Sequence, residues 1–91
     1  MTRREKRRQK IEQNPRQVMF SDLRRLLEDY GFVLKRTRGS HHSFVHEGGD
    51  RKRLLVVPYK KPLNPVYVRK ALALIDQIEV EQNVEDENHE R

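Results

Sequence analysis

A chain of 91 residues with 34% hydrophobic and 37% charged side chains has room for one small domain, whose core must be gathered into a few segments. The absence of cysteine excludes disulfides, thiolate nucleophiles and cysteine zinc sites, and no apolar run approaches the roughly 20 residues of a membrane span. The net charge of +6 raises the local concentration of polyanions, although charge alone serves solubility equally well.

The charge is unevenly placed. Residues 1–16 carry seven Lys/Arg against Glu5 and Glu12, a net of +5, whereas residues 79–91 carry six acids against Arg91, a net of −5. The middle, residues 17–78, is therefore itself basic at +6. This division predicts a basic N-terminal extension (1–16), one compact domain (17–78) and an acidic C-terminal tail (79–91). The first residues, MTRREKRRQKIEQ, lack the apolar region of a signal peptide, so the chain is expected to be soluble and cytoplasmic, with no membrane partner.

In chain order, the leader TRREKRRQKIEQ has few apolar anchors and is expected to pack little even where it is helical. Asn14 and Pro15 separate it from FSDLRRLLEDYGF, in which Phe20, Leu23, Leu26, Leu27 and Tyr30 fall on one helical face. Ser21 is the expected N-cap, Asp22 favours the first turn, and Gly31 is the expected stop. FVLKRT (32–37), SFVHE (43–47) and RLLVVP (53–58) read as short strands, with RGSHH linking the first two and the turn-forming EGGD preceding the third. Asn64 and Pro65 then make a cap and first-turn pair for a helix carrying Val68, Ala71, Leu72, Ile75 and Ile78, expected to end where the acidic tail begins. The order α-β-β-β-α predicts an α+β fold: a three-stranded antiparallel sheet with two helices on one face, the layout of double-stranded-RNA-binding domains.

RTRGSHHSFVH, residues 36–46, holds three of the four histidines. Adjacent strand residues point to opposite faces, so His41 and His42 do not readily converge on one ion, whereas His42 and His46 share a face with Phe44 between them. With no cysteine and no fixed acidic ligand nearby, no metal site and no cofactor is expected. An imidazole titrating near neutrality can take the proton of a ribose 2′-hydroxyl, and neighbouring cations can stabilise charge building on the phosphate. Lys35, Arg36 and Arg38 lie within a few residues of His41. Gly39 permits a tight turn, and the backbone amides of Gly39 and Ser40 can approach a phosphate. At this level RNA cleavage without a metal and simple RNA binding both stay open.

The helix leading through GF into a strand, the element GSHH-S-F-x-H, the strand LLVVP and the proline-led helix NPVYVRKALALI together resemble the HicA family, the toxin half of HicAB toxin-antitoxin modules, over residues 18–78. The resemblance implies a small mRNA interferase with a double-stranded-RNA-binding-domain-like fold, a single catalytic histidine after Gly-Ser, and a HicB-like antitoxin partner. That histidine corresponds to His41. Many family members carry a histidine directly after VP; here Tyr59, Lys60 and Lys61 follow, so no second imidazole carries over. The resulting expectation is an endoribonuclease acting on mRNA, with His41 as general base. Lys35, Arg36, Arg38, Lys60 and Lys61 are the phosphate-binding candidates, and Gly39 and Ser40 shape the turn; the alternative is a non-catalytic RNA-binding module of the same fold. The acidic tail is either a solvated C-terminus or a segment that folds back over the basic face.

Overall fold

The computed structural model describes residues 2–49 and 51–89, with side chains described as far as Glu81. Helix α1 runs Arg3–Gln13; Thr2 caps it by accepting from the Glu5 amide at 3.3 Å. A 3-10 turn, Pro15–Gln17, follows, then helix α2, Phe20–Asp29, strands β1 (Val33–Arg38), β2 (His41–His46) and β3 (Arg53–Pro58), and helix α3, Pro65–His89.

The leader does not merely hang from the domain. Ile11 of α1 and Val18 after the turn are buried in the same core as Leu26, Phe44 and Ile75. Three arginines of α1 also reach inward: Arg4 lies over the Tyr30 ring at 4.9 Å, Arg7 pairs with Asp29, and Arg8 binds Glu12, Asp76 and Glu79. Counting apolar anchors misses this packing, because arginine covers neighbours with its methylene stem while its head pairs with carboxylates. Burial alone would lower the Arg8 pKa, but the carboxylates of Glu12 and Asp76 outweigh it and hold the guanidinium more firmly charged than usual.

Helix α2 starts two residues earlier than the capping expectation. Met19 holds the N-cap position and Ser21 sits inside the first turn, while the Asp22 carboxylate accepts from the Met19 amide at 3.2 Å. The aspartate serves where the serine was expected because it stands three residues after the cap and can reach back to the free amide. Leu23, Leu26 and Leu27 face the core. At the far end Gly31 has φ +92, and two bonds close the helix, Gly31 N–H to Glu28 O at 3.1 Å and Phe32 N–H to Leu27 O at 2.9 Å. This is the Schellman arrangement, whose left-handed residue favours glycine.

The strands form an antiparallel meander, β1-β2-β3. Phe44, Leu55 and Val57 lie on the face covered by α2 and α3, against Leu23, Leu26, Val68, Ala71, Ile75 and Ile78. The other face is open, with Val33 and Leu54 more than half exposed. The architecture is thus α+β, three antiparallel strands flanked by helices in the α-β-β-β-α order expected, preceded by α1.

Asn64 caps α3 as expected, its side-chain oxygen accepting from the Val66 amide at 3.0 Å. The helix does not stop where the acidic residues begin but continues to His89. Glu79 and Glu81 belong to the folded body, pairing with Arg8 and Arg53. Acidic residues are acceptable helix formers, and here two of them meet buried or half-buried arginines that the sequence pattern gives no means of placing.

Candidate functional site

The site is assembled at the end of the sheet where β1 turns into β2. The link is two residues, Gly39 and Ser40, rather than the five of RGSHH: His41 and His42 are already in β2. Gly39 has φ +59 and Ser40 has no positive φ, the arrangement of a two-residue type II′ hairpin turn with glycine first. A Cβ at Gly39 would touch nothing within 4 Å, so the dihedral angle and not crowding selects glycine. On the other side Tyr59 N–H donates to Ser40 O at 2.6 Å, which ties the start of the Tyr59–Lys60–Lys61 segment to the same turn.

Register then sorts the histidines. His41 is paired with Arg38 across the turn and with Pro58 on β3, and His42 with Thr37 and Val57. Because Val57 is a core residue, His42 points to the helix-covered face and His41 to the open one. The His42 ring packs 4.4 Å from the Phe20 ring centroid and 6.3 Å from that of Tyr59, and its Nδ1–H donates to the Ser40 carbonyl at 3.1 Å. His41 is exposed and makes none of the side-chain hydrogen bonds, ion pairs or ring contacts described. His46 lies at the other end of β2, roughly 17 Å away along the strand. It is buried beside Phe32, where a Cβ on Gly31 or Gly48 would come within 3.1 Å of its ring. The three imidazoles therefore face three different surroundings, and among the described residues no group of three His, Asp or Glu could hold a metal ion.

Register puts two of the expected cations on the His41 face, and chain connectivity brings two more to the same turn. A bulge between Leu34 and Arg36 leaves Lys35 without a register partner and puts Arg36 opposite Ser43, so that Arg36, Arg38, His41 and Ser43 share the open face. Lys60 and Lys61, both exposed, follow Tyr59 directly. Lys35, Arg36, Arg38, Lys60 and Lys61 have no acidic partner among the described residues, since the ion pairs are made by Arg7, Arg8, Arg24 and Arg53. Their charge is available to a ligand.

His41 also stands at the end of a groove of about 580 Å³ between β3 and α3, lined by Val56, Pro58, Tyr67, Lys70 and Leu74 among others. Lys70 Nζ lies 5.3 Å from the Tyr67 ring centroid, adding a further cation and an aromatic face to the site. Sequence reasoning missed these two. The signal was present as a second helical stripe, Tyr67, Lys70 and Leu74 at i, i+3 and i+7, beside the apolar stripe of Val68, Ala71 and Ile75.

Residues 20–79 match the family model of the HicA toxin of bacterial toxin-antitoxin systems. The chain belongs to the HicA toxin family. The match begins at the first residue of α2 and takes in the sheet, the Gly39–Ser40–His41 element and α3 as far as Glu79, while α1 and the 3-10 turn precede it. Neither curated proteins nor solved structures give a match to this HicA chain. Among the described residues no helix is long and apolar enough to cross a membrane.

Proposed function

We propose that this HicA toxin is a cytoplasmic endoribonuclease that cleaves mRNA without a metal, with His41 as general base, and that a HicB-like antitoxin restrains it by covering the His41 face. The observation that carries the reading is the sorting of the hairpin histidines: His41 alone of the three is exposed and unengaged, directly across from Arg38. In the proposed step the His41 imidazole takes the proton of a ribose 2′-hydroxyl and the freed oxygen attacks the adjacent phosphorus. The bond to the 5′-oxygen breaks, and that oxygen leaves with a proton from solvent. Arg36 and Arg38, with Lys35, Lys60 and Lys61 around them, offset the negative charge that grows on the phosphate oxygens. Gly39 and Ser40 hold the turn that aims His41, and Ser40 has no triad partner that would make it a nucleophile.

The test is incubation of the purified chain with end-labelled RNA, with and without EDTA, followed by analysis of the product ends. The proposal expects 2′,3′-cyclic phosphate or 3′-phosphate together with 5′-hydroxyl, unaffected by EDTA. Products bearing 5′-phosphate, or inhibition that added metal reverses, would overturn it. Binding without cleavage would leave an RNA-binding module of the same fold.

A further inference from the structure

A second concave surface lies between α1, which precedes the segment matching the family, and α2, which begins it. A cleft of about 460 Å³ opens between α1 and the start of α2. Its walls carry Arg3, Lys6 and Lys10 from α1 and Arg25 from α2, and Asn14 and Gln17 lie between them. The first three recur at i, i+3 and i+7, so they line one face of the helix over roughly 10 Å. Arg7 also lines the cleft, but its charge is taken up by Asp29. Arg4, Arg7 and Arg8 turn inward to Tyr30, Asp29 and the carboxylates of Glu12, Asp76 and Glu79. Arg3, Lys6, Lys10 and Arg25 are exposed and have no acidic partner among the described residues. The acid lining the cleft, Asp22, is already accepting from the Met19 amide.

From this arrangement we infer that the α1–α2 cleft is a second RNA-backbone site, which holds a stretch of the strand outside the one being cleaved; the inference rests on RNA being the substrate. Two observations favour a polyphosphate over a protein segment. The apolar residues of the cleft, Ile11 and Val18, are buried in the core, and none of the exposed large hydrophobics lines it, so a protein chain would find charge without an anchor to bury. The free groups are cations and side-chain amides, which suit phosphate and sugar oxygens. Val18 of the cleft is two residues from Phe20, whose ring packs on His42 on the helix-covered face, so a strand reaching both sites has to pass around the edge of the sheet to His41.

The test uses the full chain and a 2′-O-methyl RNA of about 15 nucleotides, which binds but offers no 2′-hydroxyl to attack. Its affinity is measured against salt concentration for the wild-type chain and for Arg3→Gln/Lys6→Gln/Lys10→Gln, three exposed positions where glutamine keeps the helix propensity. Losing three phosphate contacts lowers the slope of log affinity against log salt by about 2 and weakens binding roughly 100-fold at 50 mM salt. Equal affinity and slope for the two proteins overturn the inference while leaving the catalytic reading intact. A wild-type chain that binds no RNA overturns both. A variant that binds RNA normally but no longer retains an acidic antitoxin assigns the cleft to protein and overturns the inference as well.

Discussion

Replacing His41 and His42 separately by alanine should split chemistry from stability. His41 is exposed and makes no described side-chain contact, so His41→Ala removes little packing; loss of a general base lowers single-turnover cleavage at least ~100-fold, or about 2.7 kcal/mol in the barrier. The His42 ring lies against Phe20 and donates to the Ser40 carbonyl. Its replacement removes an aromatic contact worth about 1 kcal/mol and a hydrogen bond worth a similar amount, so the unfolding free energy falls by about 2 kcal/mol. For a domain of this size that loss lowers Tm by roughly 10 °C. Single-turnover cleavage of labelled RNA at 20 °C, paired with thermal melts of the same preparations, reads both quantities. A His42→Ala protein that melts like wild type but does not cleave, beside an active His41→Ala protein, would refute the assignment.

Three further outcomes follow from the fold. Gly39→Ala should destabilise by about 1–2 kcal/mol in urea unfolding, since φ +59 disfavours a Cβ, while Gly39→Asn should lose less; equal stability of all three proteins would show that the turn relaxes freely. Ile11→Ala should cost about 2–3 kcal/mol because α1 is part of the core, and a loss under about 0.5 kcal/mol would return α1 to the status of an appendage. Burial, with Glu79 assisting, raises the Tyr30 hydroxyl pKa above its ordinary 10.0 against the opposing pull of Arg4 and Arg8. The unfolded chain releases that proton first, so this contribution to stability is complete below pH 10 and is lost as pH rises through the folded-state pKa. Tyr30→Phe should therefore flatten the alkaline decline in unfolding free energy, and parallel curves for the two proteins would count against it.

Much of the fold was legible because it rests on local, periodic signals. The leucines of α2, Gly31 at its end and the Asn64–Pro65 start of α3 each act over a few residues, and all three appear as read apart from the capping residue of α2. Strand alternation also separates His41 from His42, although the sequence pattern puts both in the link and only the structure extends β2 to include them. What stayed hidden depends on contacts between distant residues. Arg8 meets Asp76 and Glu79 about seventy positions away, and Arg53 meets Glu81, so neither the packing of α1 nor the continuation of α3 is written in local pattern. The groove beside His41 was missed for the same reason: Tyr67 and Lys70 acquire meaning only when α3 lies along β3.

The period of two along β2 ties the choice of which imidazole faces solvent to a hydrophobic choice. Sliding β2 by one residue would turn His42 outward and bring His41 under Phe20, and it would also expel Phe44 from the core and put Val45, buried on the opposite face, in its place. Phe44 therefore votes, through its own burial, on which histidine the solvent sees. The type II′ turn and the Tyr59–Ser40 bond hold the same frame from the other end. One residue inserted between Gly39 and His41 would set the turn against the core, with presentation of the imidazole settled by whichever yields. A change that never touches His41 can in this way bury it and expose its neighbour.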